Sequence, residues 1–182
     1  ARRAEVAPVI PGACEDRGGR GGVLQCAVAG WDMHAFLGRG PPTRSGRGAA
    51  AMRAVCDTTG ALGVADEVTT FTASDFGRTL TQNDDGSDHG WGSMHFVLGG
   101  AVNGGQIYGT PPDLGHNTPS DVGPGRPLPT TSGDQYAATL ARWVGVSAGN
   151  VAPVLHDLGH LSKSTRGRVR GVRVGAAPRL RT

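Results

Sequence analysis

The sequence has few aromatic residues, few cysteines and no long apolar run. Aromatic residues make up 5% and apolar residues 37% of the 182 positions, which predicts a modest core. The three cysteines, Cys14, Cys26 and Cys56, show no C-x-x-C spacing, so the sequence indicates neither a disulfide framework nor a cysteine zinc site. No apolar run approaches the roughly 18 residues that span a bilayer. We therefore expect no membrane span and no secretory signal peptide at the start of this sequence.

Lysine is also scarce, and the positive charge lies mainly near the two ends. Residues 161–182 carry seven basic residues and no acidic residue, so this basic tail is predicted to be disordered. Residues 1–19 are predicted to be a poorly ordered segment, and residues 20–160 to form the one folded domain. No motif for reading nucleic acid accompanies the basic residues, so we expect no specific nucleic-acid partner.

What the chain does contain is 31 glycines, 12 prolines and two apolar runs separated by a helical pattern. The runs at 23–30 and 68–77 are typical of buried strands, and the alanine-rich stretch at 49–63 favours a helix that ends at a glycine. Strand, helix and strand in this order predict a parallel pair joined by a right-handed crossover. The sequence therefore predicts an α/β fold with a mainly parallel central sheet, flanking helices and long Gly/Pro-rich loops.

The second half of the chain predicts shorter elements. Residues 96–109 resemble two strands joined by a tight turn, and 110–130, with six prolines, predicts a long irregular connection. The stretch 130–147 predicts a helix with a Thr or Ser cap and an apolar face, followed by a short helix over 148–156. Ser147 is the predicted cap of that short helix.

Ionisable residues follow both predicted strands, where ligands collect in parallel sheets. Asp32 and His34 follow the first strand, Asp75 and Arg78 follow the second, and His89 comes after a polar loop long enough to fold back. Zinc commonly takes three or four such His and carboxylate ligands. Each residue alone is more often structural or solvated, so the hypothesis rests on their convergence at one sheet edge.

A second pattern predicts a different chemistry. The stretch GVSAG at 145–149 matches the serine-hydrolase motif G-x-S-x-G, and Asp157 and His160 follow Ser147 in the expected order. The motif must join a strand to a helix, whereas the residues before it have helical periodicity. Gly145 is therefore predicted to end a helix, and the serine esterase ranks third among our hypotheses.

Three stretches carry a resemblance to a known family. They are GWDMHAF at 30–36, VTTFTASDFGRTLTQNDDGSDHGWGSMHFVLGGAVNGGQIYG at 68–109, and PTTSGDQYAATLARWVGVS at 129–147. Together they resemble the C-terminal part of a bacterial family of exported, sulfatase-like proteins of unknown function within the alkaline phosphatase superfamily. The resemblance is dense over 64–160 and sparse over 20–40.

The resemblance implies a partial alkaline-phosphatase-like sandwich with metal ions at the edge of its sheet. It implies that Asp32, His34 and His89 serve one metal, that Asp75 helps to hold another, and that the protein is periplasmic or secreted. Superfamily relatives carry their nucleophile in an N-terminal part of the fold that has no counterpart here. We therefore expect this chain to be the end of a longer protein.

Two functional hypotheses lead. The first is a zinc-dependent hydrolase of phosphate, sulfate or related esters, with Asp75, Arg78 and His89 as its catalytic residues and with weak activity because the nucleophile segment is absent. The metal would activate a water, and Arg78 would stabilise the charge that develops on the ester. The alternative is a catalytically incomplete binding or structural remnant. The sequence does not define the oligomeric state.

Overall fold

The computed structural model describes residues 14–16, 23–36, 38, 40–155 and 158. Its elements, in chain order, are β1 Cys14–Asp16, β2 Leu24–Cys26, α1 Gly40–Ala61, a 3-10 helix Ala65–Glu67, β3 Thr70–Phe71, β4 Gly77–Asn83, β5 Gly86–Gly90, β6 Val97–Leu98, α2 Gly133–Trp143 and α3 Ala148–Val151. The predicted basic tail lies outside the described residues, as does most of the predicted N-terminal segment. None of the described helices combines the length and the apolar character that crossing a bilayer requires.

The strands form three separate antiparallel pairs, β1 with β2, β3 with β6, and β4 with β5. Within the described residues no two strands are parallel, and no sheet has more than two strands. The prediction of an α/β fold with a parallel central sheet is therefore wrong. The prediction of an alkaline-phosphatase-like sandwich is wrong for the same reason, because that architecture requires a parallel central sheet.

The two runs that predicted a parallel pair behave differently from a buried strand pair. The run at 23–30 yields only β2, whose residues are exposed and pair with β1. The run at 68–77 breaks after Phe71, bends at Asp75, and leaves β3 to pair with β6. Hydrophobic content alone does not distinguish a central strand from a short exposed one, which is why the crossover was predicted in error. Cys26 is exposed and disulfide-bonded, a bond that the spacing of the cysteines did not indicate.

The longest strand pairing is a hairpin, in a stretch where the sequence predicts a polar loop. Asn83 pairs with Gly86 across the two-residue turn Asp84–Asp85, and Asp84 has a φ of 55°. Aspartate suits this position of the turn because it tolerates a positive φ better than most residues do. The pairing shifts register between Arg78 and Gln82, so β4 bulges there. The hairpin fixes the faces on which its ionisable residues lie.

Helix α1 contains the predicted helical stretch and begins about nine residues before it. Pro41 and Pro42 stand in its first turn, where the backbone N–H groups have no helical partner and proline costs little. The helix ends at Ala61, and Gly63 follows with a φ of 74°. This left-handed residue after the last turn is a common helix end, so the predicted glycine stop is confirmed.

Helix α2 confirms the predicted capped helix in the second half of the chain. The Ser132 hydroxyl accepts the Gln135 backbone N–H, and the Gln135 side chain accepts the N–H of Ser132, which completes a capping box. Ala138 of α2 packs with Val151 and Leu158 in a small core cluster. Helix α3 ends at Val151 and is shorter than predicted.

Other features of the second half of the chain concern Tyr136 and the stretches on the N-terminal side of α2. Tyr136 donates a hydrogen bond of 3.1 Å to the carbonyl oxygen of Thr72, and burial raises the pKa of Tyr136 to about 12. The predicted strand pair at 96–109 is wrong, because Val97–Leu98 is the one strand in this stretch and it pairs with β3. Residues 110–130 have no helix or strand apart from one bridge between Asp121 and Pro127, as the prolines predicted.

Candidate metal centre

The candidate site lies where an irregular segment meets the β4–β5 hairpin. Residues 27–36 carry Asp32 and His34 and form no helix or strand. A Cβ atom at Gly86 would lie 2.2 Å from the carbonyl carbon of His34, so only glycine lets the two backbones approach this closely. Arg78 of the hairpin donates a 2.8 Å hydrogen bond to the carbonyl oxygen of Trp31. These two contacts bring the segment against the hairpin.

Three side-chain atoms converge at this junction. Oδ1 of Asp32 lies 2.8 Å from Nε2 of His89 and 3.1 Å from Nε2 of His34, and the two Nε2 atoms lie 3.3 Å apart. The His34 and His89 rings are tilted by 32° with their centroids 5.0 Å apart. Within the described residues, these three side chains form the one cluster of His, Cys, Asp and Glu that can surround a metal ion.

The spacing of the three atoms suits a small divalent ion. With edges of 2.8, 3.1 and 3.3 Å, they lie on a circle of radius about 1.8 Å. Tetrahedral zinc with bonds of about 2.0 Å places its ligands about 3.3 Å apart, and three protein ligands leave one position open. An ion of that size fits about 1 Å above the plane of the three atoms, at normal bond lengths.

The site is open to solvent. The side chains of Asp32, His34 and His89 are 57%, 52% and 45% exposed. The hydrogen bond with His89 lowers the pKa of Asp32, and the charges of His89, His34 and Arg78 add to this effect. Asp32 is therefore held as a carboxylate, the form that binds a metal.

Arg78 supports the cluster from the hairpin side. It stands opposite His89 in the β4–β5 register. Its Nη2 donates to Oδ1 of Asp32 at 3.1 Å, and its Nη1 donates to the carbonyl oxygen of Ser87 at 2.8 Å. Arg78 is thus fixed in place with its positive charge beside the cluster.

Three further residues contact the cluster and were not predicted. Phe76 stacks on the His89 ring at 3.7 Å between centroids. Oδ1 of Asp88 lies 3.5 Å from Nδ1 of His34, and Arg126 donates to the carbonyl oxygen of His89 at 3.2 Å. A carboxylate at Nδ1 favours the tautomer whose Nε2 is free to bind a metal. Asp88 directly precedes His89 in the sequence, and this position was the one clue to its role.

Asp75 does not join this group. It is exposed in the bend before β4, and its side chain makes no hydrogen bond or ion pair with any described residue. The structure thus brings together three of the four predicted metal ligands and Arg78. The proposed role of Asp75 stays a prediction from sequence alone.

The esterase motif does not have the geometry of a nucleophile elbow. Ser147 follows helix α2 and a turn, and it stands at the N-cap of α3 without a capping hydrogen bond from its side chain. Gly145, with a φ of 97°, lies just after the helix end, as predicted. Asp157 and His160, the other two residues of the hypothesis, lie outside the described residues.

Fold and site together define a small, loop-rich α+β protein with an exposed Asp–His–His cluster. Residues 17–146 match DUF1501, a family of proteins of unknown function, and the chain belongs to that family. No curated protein and no solved structure matches the chain. The match shows neither a sulfatase nor an alkaline phosphatase family. The prediction that the chain belongs to the alkaline phosphatase superfamily, which rested on resemblance, is therefore wrong.

Proposed function

We propose that the chain binds one divalent metal ion, zinc, between Asp32, His34 and His89 and uses it to hydrolyse phosphate or sulfate esters. The observation that carries the proposal is the convergence of Oδ1 of Asp32 with the two Nε2 atoms, at 2.8, 3.1 and 3.3 Å from one another. A carboxylate and two imidazoles are ligands that zinc prefers, and three protein ligands are typical of catalytic rather than structural zinc.

The surrounding residues support this proposal in three ways. Asp88 faces Nδ1 of His34, and Phe76 stacks on His89, so both imidazole rings are held in orientation. Arg78 makes three hydrogen bonds, to Asp32, Trp31 and Ser87. An arginine has five N–H donors, so it keeps others for the oxygens of an anionic ester.

The chemistry divides between the ion and the chain. A bound divalent ion supplies a Lewis acid that polarises the ester and acidifies water. Arg78 orients the ester and stabilises its negative charge. Because the ligand side chains are about half exposed, water is not excluded and we expect slow turnover.

Zinc calorimetry on chelator-treated protein tests the metal site. We expect one zinc per chain, and we expect Asp32→Asn to weaken binding by at least about 100-fold, since even outer contacts of a metal site cost about 10- to 100-fold. Asp75→Asn is the matched control, because it makes the same change in an exposed carboxylate outside the cluster. Unchanged affinity in Asp32→Asn would refute the site. Equal loss in Asp75→Asn would return Asp75 to the ligand set.

Hydrolysis of 4-nitrophenyl phosphate and 4-nitrophenyl sulfate tests the reaction. We expect slow, zinc-dependent release of 4-nitrophenol that a chelator stops and that His89→Ala abolishes. Zinc binding without turnover of either ester would overturn the hydrolase and favour the second hypothesis, a binding module without catalysis. The observation that favours this second hypothesis is the exposure of the three ligand side chains to water.

A further inference from the structure

A cleft opens directly beside the metal-ligand cluster. Its volume is about 610 Å³, and one wall is the segment that carries Asp32, His34 and Phe36. The first part of α1 also lines the cleft and contributes Arg44 and Arg47. Any ester held at Asp32 and His34 therefore extends into a space that two arginines line.

Neither arginine has a carboxylate partner among the described residues. The side chain of Arg44 makes a single hydrogen bond, from Nη1 to Sδ of Met33 at 3.3 Å, and a thioether is a weak acceptor. The Arg47 side chain is exposed and makes no hydrogen bond or ion pair there. By contrast Arg53, on the same helix, donates to both carboxylate oxygens of Asp57 at 2.8 Å.

The acidic residue of the cleft does not neutralise these two charges. Oδ1 of Asp32 is already approached by His89, His34 and Arg78. Arg44 and Arg47 stand three positions apart and thus on one face of the helix. The part of the cleft that α1 lines is therefore positively charged and free to bind an anion.

The size of the cleft adds a second constraint. A volume of about 610 Å³ lies within the range of about 300–1,000 Å³ typical of sites for organic ligands. It is far larger than one phosphate or sulfate group requires. The site thus has room for the organic part of an ester as well as its anionic head.

We propose that the substrates of this site are esters whose organic part bears a second anionic group, which Arg44 and Arg47 bind while the ester group lies at the Asp32–His34–His89 cluster. This inference rests on the proposed function for the position of the ester group. The position of the second anion rests on the cleft and its arginines alone.

A matched pair of probes tests the inference. We would titrate the zinc-loaded protein with 4-carboxyphenyl phosphate and with 4-carbamoylphenyl phosphate, which have nearly the same shape but differ in the charge of the second group. Because charge-assisted hydrogen bonds to arginine are strong, we expect the carboxylate probe to bind about tenfold more tightly. Equal affinities would overturn the inference.

Variants locate the effect. Arg47→Gln should reduce the preference for the carboxylate probe to about twofold or less, since it removes one of two charged partners. Arg53→Gln removes the same charge from the same helix away from the cleft and should preserve the preference. Arg44→Lys keeps the charge but loses the planar fork, and a reduced preference in this variant supports direct contact. Loss of preference in Arg53→Gln, or full preference in Arg47→Gln, would overturn the inference.

Zinc calorimetry on the same samples separates the two proposals. If zinc binds and the two probes bind equally, the second anion site is refuted and the metal site stands. If zinc does not bind but the chelator-treated protein still prefers the carboxylate probe through Arg47, the metal site is refuted and the anion site stands.

Discussion

One oxygen atom, Oδ1 of Asp32, accepts more contacts than any other atom at the site. His89, His34 and Arg78 approach it at 2.8, 3.1 and 3.1 Å. All three partners favour the ionised carboxylate, and the hydrogen bond with His89 is the main reason that the pKa of Asp32 is lowered. The same oxygen is the anionic ligand of the proposed metal site, so its partners prepare it for binding.

The acid titration of Asp32 follows from these contacts. A carboxyl group with a lowered pKa in the folded state stabilises the protein above about pH 4, the range of an unfolded aspartate, and that stabilisation is lost as the pH falls through the lowered value. In metal-free protein we expect His89→Ala to raise the pKa of Asp32 toward its ordinary value, as measured by NMR of the side-chain carboxyl carbon. His116→Ala, which changes an exposed histidine outside the cluster, is the control. An unmoved pKa in His89→Ala would contradict the account.

Among the elements, the β4–β5 hairpin determines the geometry of the site. It carries Arg78 and His89 as a facing pair, and its turn ends at Gly86, against which the His34 backbone lies. We expect Gly86→Ala to weaken zinc binding by about tenfold or more, because its Cβ would displace His34 and ligands must hold their geometry to within about 0.5 Å. Calorimetry and circular dichroism together would show whether affinity falls while the fold persists.

Gly104→Ala supplies the matched control for that variant. It makes the same substitution where a Cβ atom meets no atom within 4 Å. Its zinc affinity should equal that of the unaltered chain. Normal zinc affinity in Gly86→Ala would show that the approach of His34 to the hairpin is not needed for the site.

The elements also show which parts of the fold the sequence could predict. Helix α2, its Ser cap and the glycine end of α1 were predicted correctly, because caps and stops are local and depend on a few adjacent side chains. Strand pairing was predicted wrongly, because partners such as β3 and β6 are distant in sequence. The periodicity of a strand does not indicate which other strand it pairs with. The hairpin was missed because its Asp84–Asp85 turn resembles a solvated acidic loop.

The candidate site followed a different pattern. The prediction assumed that a parallel sheet edge brings together four residues, namely Asp32, His34, His89 and Arg78. These residues do converge, although the described residues contain no such sheet. Asp32 and His34 are only two positions apart, so they stay close to each other in an irregular segment as well. Asp75 depended most on the sheet premise, since it was placed at a strand end that the structure turns into a bend.

At the scale of the whole molecule, the described core is small. Five apolar side chains are buried, namely Met33, Ala51, Ala138, Val151 and Leu158, whereas Trp91, Met94 and Ile107 are 69%, 87% and 83% exposed. A ligand that binds only the folded state should raise the melting temperature of the chain.

Zinc provides that test. At a free zinc concentration of about 100 times Kd, binding adds about 2.7 kcal/mol to the free energy of unfolding. For a chain of 182 residues this corresponds to a Tm increase of about 5–10 °C. Differential scanning calorimetry should show the increase, and a chelator should reverse it. Asp32→Asn should show almost none, and an equal increase in that variant would place the stabilising zinc elsewhere.

The central claim is that three side chains hold one ion. Anomalous scattering at the zinc absorption edge from a zinc-soaked crystal tests it most directly. We predict one peak about 2 Å from Oδ1 of Asp32 and from Nε2 of His34 and His89. A crystal in which these atoms still contact one another with no peak between them, or in which zinc binds only at other residues, would contradict the account.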